Sequence, residues 1–135
     1  YGEAKKAIDL LKEDLMNKKE ASELFGIERE SALEGILKSI YQTFGGKELY
    51  SSIEEKAAHL LYFIIKDHPF VDGNKRIGSF LFILFLHKNN YLFKSTGETK
   101  INDNTLVAIA LLIAESKPKE KKTMIALISN LLNEY

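Results

Sequence analysis

Residues 68–76 read HPFVDGNKR, and they lie between two apolar runs, AAHLLYFIIK at 57–66 and IGSFLFILFL at 77–86. Each run is apolar on most sides of a helical wheel, which marks a helix surrounded by protein. Two such helices joined by a short polar loop predict a buried antiparallel pair with the loop at its tip. That pair decides the fold class. The chain is expected to be all-α, a helical bundle around a central hairpin.

Working outward, Ser52 with Glu55 three residues on forms a capping-box pattern and starts a helix over 53–66. The next helix is expected over 74–88, stopped by Asn89 and Asn90. Upstream, Ala7, Ile8, Leu11 and Leu15 give a helix over 4–16. A short helix over 21–25 is expected to end at Gly26. Leu33, Ile36, Leu37, Ile40 and Tyr41 share one side of a helix over 30–44, ended by Gly45 and Gly46. Residues 47–52 read as short and irregular, with Leu49 and Tyr50 briefly extended. Downstream, 94–100 is a polar loop with Gly97, and Asn102 or Asp103 caps a helix to about 115. Pro118 suits the first turn of a last helix carrying Met124, Ile125, Leu127, Ile128, Leu131 and Leu132. There is no internal repeat, low-complexity tract or linker, so 1–135 is read as one domain. The chain begins with Tyr1 rather than Met, which is compatible with a trimmed piece of a longer chain.

Composition narrows the function classes. With 45% hydrophobic residues the chain can build a true core. Its formal net charge is zero, which argues against a broad nucleic-acid surface. No aromatic-basic stripe points the other way. The chain has no cysteine, so disulfides and thiolate chemistry are excluded and an intracellular, cytoplasmic setting is expected. The longest glycine-free apolar run, 80–86, is far short of the roughly 20 residues that span a bilayer, and no signal peptide is visible. Neither membrane nor nucleic acid is expected as a partner. A homo-oligomer stays open.

The loop gathers chemically active groups. Asn74, Lys75 and Arg76 open a helix, whose free N–H groups favour anions. Gly73 can take positive φ and lets the main chain approach a ligand. Lys75 and Arg76 add two cations, and Arg grips two phosphate oxygens at once. Asp72 is a hard carboxylate placed to hold Mg²⁺, and His68 can accept a proton near neutral pH. Phe70 is expected to point inward as the loop's anchor, and Pro69 to hold His68 extended. The bland alternative is a capped turn followed by a solvated Lys-Arg pair. Cations at a helix start are opposed by the helix dipole, so this pair wants an anion. From the residues alone, a phosphate site and an ordinary turn both stay open.

The motif resembles the signature of the Fic/Doc (Fido) family, His-x-Phe-x-Asp/Glu-Gly/Ala-Asn-Gly/Lys-Arg. The match falls on His68, Phe70, Asp72, Gly73, Asn74, Lys75 and Arg76. The surroundings, Ser31-Ala32-Leu33, Phe44-Gly45-Gly46 and Leu49-Tyr50, are similar to Doc-type members, and the resemblance covers roughly 30–91. It implies a Fic-fold helical core and transfer of part of a nucleoside triphosphate, such as ATP, to a target protein's Ser, Thr or Tyr hydroxyl. His68 would be the general base and Asp72 the Mg²⁺ ligand. Gly73, Asn74, Lys75 and Arg76 would bind phosphates. Gly46, Lys47, Glu48, Leu49, Tyr50 and Ser51 would form a flap, a small β-hairpin in some readings, that docks the target by strand-like pairing.

Two departures matter. AMP-transferring members usually carry Gly where Lys75 stands and a second Arg three residues after the first, where this chain has Ser79. Both changes resemble Doc, which phosphorylates its target. Phosphoryl transfer is therefore favoured over AMP transfer, with a nucleotide bound in the reversed sense. Many family members are silenced by Ser/Thr-x-x-x-Glu-Gly/Asn. Here Glu34-Gly35 follows Ser31 at the wrong spacing, with Glu30 in the Ser/Thr position, and Ser129 with Glu134 and Tyr135 does not fit either. No built-in inhibition of that kind is expected, and an antitoxin-like partner or a lost N-terminal region could supply it. A catalytically idle nucleotide- or partner-binding module is the alternative from another class; intact His68 and Asp72 favour the enzyme.

Other residues read as structural. His59 sits in an apolar helix and is expected to be a packed histidine. His87 suits a helix C-terminus, and no metal-ligand spacing links the three histidines. Gly78 and Ser79 are expected to permit close helix packing, and residues 117–122 to form a solvated face. Tyr50 reads first as packing and second as a target contact.

Overall fold

The computed structural model of the chain describes residues 1–133. Helix α3 (Ile53–Asp67) is the axis of the bundle. It starts where expected, with the Ser52 hydroxyl accepting the Glu55 N–H at 3.1 Å. Its sequence feeds two cores. Ala57, Ala58, Leu61, Tyr62 and Ile65 face one, while Leu60 and Ile64 face the other. Each fully buried Leu or Ile side chain here contributes about 1.5–3 kcal/mol.

Helix α4 (Asn74–Lys88) packs on α3, and the short loop between them returns the chain along its neighbour. Gly78 makes the approach close: a Cβ there would lie 3.2 Å from Cγ2 of Ile64. The central hairpin expected from the sequence is thus present. Its second helix is less enclosed than its composition suggests, however. Ile77, Gly78, Leu81, Phe82 and Leu86 are buried, while Phe80, Ile83, Leu84 and Phe85 are only partly so. Clefts beside α4 leave Phe80, Leu84 and Phe85 half-covered.

Helices α1 (Gly2–Asn17) and α2 (Ala32–Ile40) cover one side of the hairpin. Helices α5 (Asp103–Glu115) and α6 (Lys121–Leu132) cover the other. Asn102, of the two candidates, caps α5, its Oδ1 accepting the Thr105 N–H at 2.8 Å. Pro118 begins a 3-10 turn, Pro118–Glu120, that leads into α6. No helix among the described residues is long and apolar enough to cross a membrane. Glu134 and Tyr135 lie outside the described residues, and with them the comparison of Ser129 to an inhibitory motif.

Three sequence expectations are corrected. Residues 21–25 are not a helix. Phe25 instead bridges Asp72 in parallel and Glu28 bridges Phe70 antiparallel. Those bridges use main-chain groups that a helix would need for itself. The helix expected over 30–44 is only Ala32–Ile40. Glu30 has φ +51°, which no helix accepts, and Thr43–Phe44 forms strand β1 against β2, Lys47–Glu48. Gly45 and Gly46, at φ +60° and +82°, supply the two positive-φ positions of a two-residue hairpin turn. Finally, Pro69 does not hold His68 extended. His68 is the C-cap of α3 at φ 50°, ψ 60°, because the chain must leave the helix sharply for Phe70 to enter the core.

Candidate active site

The loop between α3 and α4 is fixed from inside and from one flank. Phe70 is fully buried, as expected. The Asn74 side chain closes the loop around it: Oδ1 accepts the Phe70 N–H and Nδ2 donates to the Phe70 carbonyl, both at 2.9 Å. The strip from Phe25 to Arg29 holds the flank. Gly26 N donates to the Asp72 carbonyl at 3.1 Å, Val71 N to Ile27 at 2.8 Å, and Arg29 N to Pro69 at 2.7 Å. The sequence reading missed this strip. Its one visible signal is Gly26, which the sequence pattern reads as a helix stop. It is a tight passage at φ +74°, where a Cβ would lie 3.0 Å from Cγ2 of Ile8.

Gly73 is required twice over. It sits at φ +90°, a conformation that disfavours side chains. A Cβ there would also come within 2.5 Å of Cδ2 of Phe25. Gly73 caps α4 without a side-chain bond, and the first helical bond of the loop exit is Ile77 N to Gly73 O, at 2.8 Å. The N–H groups of Asn74, Lys75 and Arg76 therefore precede the helical ladder and face outward for an acceptor.

Around this turn is a cavity of about 340 Å³ lined by His68, Asp72, Gly73, Asn74, Lys75 and Arg76, with Ile65, Val71 and Ala114 completing its wall. Every motif residue expected at the site except the anchor Phe70 lines it. Ala114, from α5, was not anticipated, because nothing in its sequence context distinguishes it from a packing alanine. His68 is exposed, and its Nδ1 lies 3.2 Å from the Lys66 carbonyl. That oxygen can only accept, so Nδ1 is the donor of this bond, and in the neutral ring Nε2 is then the nitrogen that accepts a proton. Arg76 is steered by two contacts: Nη1 donates to the Glu20 carbonyl at 2.7 Å, and the guanidinium lies 4.8 Å from the Phe25 ring centre. Among the described residues, neither the Asp72 carboxylate nor the Lys75 ammonium has a partner.

The described residues hold no cluster of three or more metal-ligating side chains. Asp72 alone faces the cavity as a carboxylate. That donor set fits Mg²⁺, which retains waters and takes one or two carboxylates together with substrate phosphates.

The flap stands apart from the cavity. Phe44 is 85% exposed at its tip, and its base is tied to α3. Lys56, buried, pairs with Glu48 at 3.0 Å, and Leu49 N donates to the Gln42 carbonyl at 2.9 Å. Tyr50 stacks on His59 with ring centres 3.7 Å apart. His59 is packed, as expected, with Nδ1 2.7 Å from the Glu55 carbonyl. Burial pushes its imidazole below the ordinary value, against the upward pull of that carbonyl. Burial likewise pushes the Tyr50 hydroxyl up.

A helical bundle whose central hairpin carries such a loop at its tip has the architecture of a Fic fold. The family model described as Fic/DOC family matches residues 4–86, more than half of the chain, and the chain belongs to that family. Neither a curated protein nor a solved structure matches it.

Proposed function

We propose that the protein is a Fic-type protein-modifying transferase that moves a phosphoryl group from a Mg²⁺-bound nucleoside triphosphate to a Ser, Thr or Tyr hydroxyl of a target protein. The observation that carries this reading is the cavity shared by the His68 ring, the free Asp72 carboxylate and the cationic start of α4. Asp72 would hold the Mg²⁺, which neutralises charge on the phosphates when bound. The N–H groups of residues 74–76 and the side chains of Lys75 and Arg76 bind phosphate oxygens. The Asn74 side chain, committed to Phe70, serves by holding the loop.

In the transfer, His68 Nε2 takes the acceptor hydroxyl's proton. The acceptor oxygen bonds to the γ-phosphorus as its bond to the β–γ bridging oxygen breaks. The products are a phosphorylated target and a nucleoside diphosphate. Positioning and charge neutralisation supply most of the rate. Lys75 and Ser79, in place of Gly and a second Arg, favour this product over AMP transfer, in which attack at the α-phosphorus would release pyrophosphate. The flap, with strand edges exposed, suits docking of an extended target segment.

Regulation is read as external, by an antitoxin-like partner. Glu34, the nearest candidate for a built-in inhibitor, pairs with Lys38 at 3.2 Å, and Arg76 bonds a main-chain carbonyl.

Incubating cell lysate in parallel with α- and γ-labelled ATP tests the proposal. Label from the γ position alone is expected, and it should vanish with His68→Ala. Label from the α position would establish AMP transfer instead. Label from neither, with all partners present, would leave the fold as a binding module.

A further inference from the structure

Helices α5 and α6 differ from the rest of the bundle in what they show to solvent. Residues 104–114 and 123–133 contain no charged side chain, in a chain that is 28% charged. Burial does not account for this. Ala108, Leu112 and Leu131 are exposed, the two leucines at 48% and 37%. Helix α1, by contrast, turns Lys6, Asp9 and Glu13 outward. Between α5 and α6 runs a groove of about 410 Å³ lined by Thr105, Ala108, Ile109, Leu112, Leu127 and Leu131. None of these lines the motif cavity. A contiguous apolar face of this kind marks a surface that another molecule covers.

We propose that a second copy of this chain covers it, with α5 lying antiparallel on α5 of the other copy about a two-fold axis at the level of Ala110. Shape is the first argument. Leu112 projects one turn from the recess left by Ala108. In a pair centred at Ala110, Leu112 of each copy enters the recess at Ala108 of the other, ridge into groove. A single surface that supplies both ridge and recess is what a two-fold contact requires.

Charge is the second argument, and it chooses the axis. Where α5 starts and α6 finishes, the described residues of the two helices carry one charge, Asp103. Lys100, just before α5, is turned onto the Tyr91 ring. The other end exposes Lys117, Lys119 and Lys122 against Glu115 and Glu120, while Lys121 rests on the Tyr62 and Phe63 rings. That end is net positive. An axis across the helices brings the acidic end of each copy to the basic end of the other, with Asp103 opposite Lys117. An axis along the helices would set like ends together. The helix dipoles also oppose one another in the antiparallel pair.

Size sets the strength. Helices of 13 and 12 residues are about 20 Å long, and side by side they offer on the order of 400 Å² per copy. Stable interfaces bury about 800 Å² per partner. The dimer is therefore weak, exchanging with monomer at a Kd of roughly tens of micromolar. Each copy keeps its own motif cavity clear of the seam, so this inference is independent of the transferase reading.

Sedimentation velocity of the full chain from about 1 µM to about 500 µM brackets that constant. Monomer at the low end and dimer at the high end are expected. Leu112→Lys, which buries an ammonium in the seam, should raise the Kd by about tenfold or more. Asp103→Lys should weaken the dimer about threefold, and adding Lys117→Asp should restore it. Monomer throughout the range overturns the proposal and gives the face to a different partner. A dimer that Leu112→Lys leaves unweakened overturns the placement, as does a series of ever larger species, which a closed two-fold pair cannot form. Crosslinking gives an answer should Leu112→Lys fail to fold. The chain has no cysteine, so an introduced thiol is the only one present. Oxidising a mixture of Ala108→Cys and Leu112→Cys should link dimers faster than oxidising either variant alone, because only the mixed pair places two thiols face to face. Linking no faster in the mixture overturns the antiparallel register.

Discussion

Gly73 and Phe25 occupy space that cannot be shared with one more carbon. A Cβ at position 73 would come within 2.5 Å of Cδ2 and 3.2 Å of Cγ in the Phe25 ring. The ring is fully buried and also supports the Arg76 guanidinium. Gly73→Ala must therefore shift the loop or the ring, and it adds a side chain at φ +90°. The expected cost is about 3 kcal/mol, combining the left-handed penalty with overpacking. Denaturant unfolding of Gly73→Ala, Phe25→Ala and the double variant measures it. Because removing the ring relieves the clash, the double variant should lose less than the two singles together. Strict additivity would mean that the ring and the glycine are not in steric contact.

His68 is held at positive φ, and a side chain there costs about 1 kcal/mol relative to glycine. Its ring is exposed and, among the described residues, bonds only the Lys66 carbonyl. His68→Ala should abolish transfer and leave stability within about 0.5 kcal/mol of wild type, as for a surface site. His68→Gly should be equally inactive yet about 1 kcal/mol more stable than His68→Ala. Thermal melts beside the labelling assay check both. A glycine variant no more stable than the alanine variant would show that the left-handed backbone at this residue carries no strain.

Much of this architecture could be read from periodicity. Residues 53–66 and 74–88 announce themselves because helices apolar on most sides have to be central, and the Ser52 cap and the start at Asn74 came out within a residue. What could not be read depends on contacts between distant segments. Residues 21–25 have local helix propensity, but the strip that follows them is tied to the loop by main-chain bonds of Gly26, Ile27 and Arg29 to Asp72, Val71 and Pro69, and Phe25 is drawn into a bridge with Asp72. Residues 41–44 continue a helical pattern, and only pairing across Gly45 and Gly46 pulls them into a strand. At the site, the motif named the residues that line the cavity. It could not show that the Asn74 amide faces Phe70, or that α5 supplies Ala114.

Asn74 locks the loop with two bonds to one residue. Asn74→Ala removes both and leaves the Phe70 N–H without an acceptor in a part-buried place. The Phe70 carbonyl keeps a weaker bond from Arg29 Nε, at 3.3 Å. A loss of about 1–3 kcal/mol is expected. Asn74→Asp keeps the acceptor and should lose less. Hydrogen exchange at the Phe70 amide reads the lock directly: it should accelerate strongly in the alanine variant and modestly in the aspartate one. Equal protection in all three proteins would remove the locking role.

The flap can be loosened without touching the bundle. No heavy atom lies within 4 Å of a Cβ added at Gly45 or Gly46, but both have positive φ. Replacing both by alanine costs about 1–2 kcal/mol per residue, the left-handed penalty, and the penalty acts on a two-stranded hairpin that is marginal by itself. Global melting should move little, because the flap's tip is exposed and the cores lie elsewhere. Exchange at the paired amides of the flap should rise, and target labelling should fall several-fold while calorimetric ATP affinity stays constant. Unimpaired target labelling with a frayed flap would argue against strand-like docking.

Acid should act on the flap through His59. Its imidazole is pushed below its ordinary value of 6.5 first by burial and also by the charge of Lys121, with the Glu55 carbonyl and carboxylate opposing. Tyr50 and Phe63 flank the ring. The folded state thus prefers neutral His59. Its contribution to stability is complete above about pH 6.5, where folded and unfolded chains both carry the neutral ring. As pH falls below that value, the unfolded chain takes a proton that the folded one refuses, and stability declines until the pH passes the lowered folded value. His59→Phe keeps an aromatic partner for Tyr50 and has no such proton. Between pH 7.5 and 5 the wild type should therefore lose more melting temperature than His59→Phe does. Parallel melting curves across that range would show that the ring under the flap is not coupled to folding.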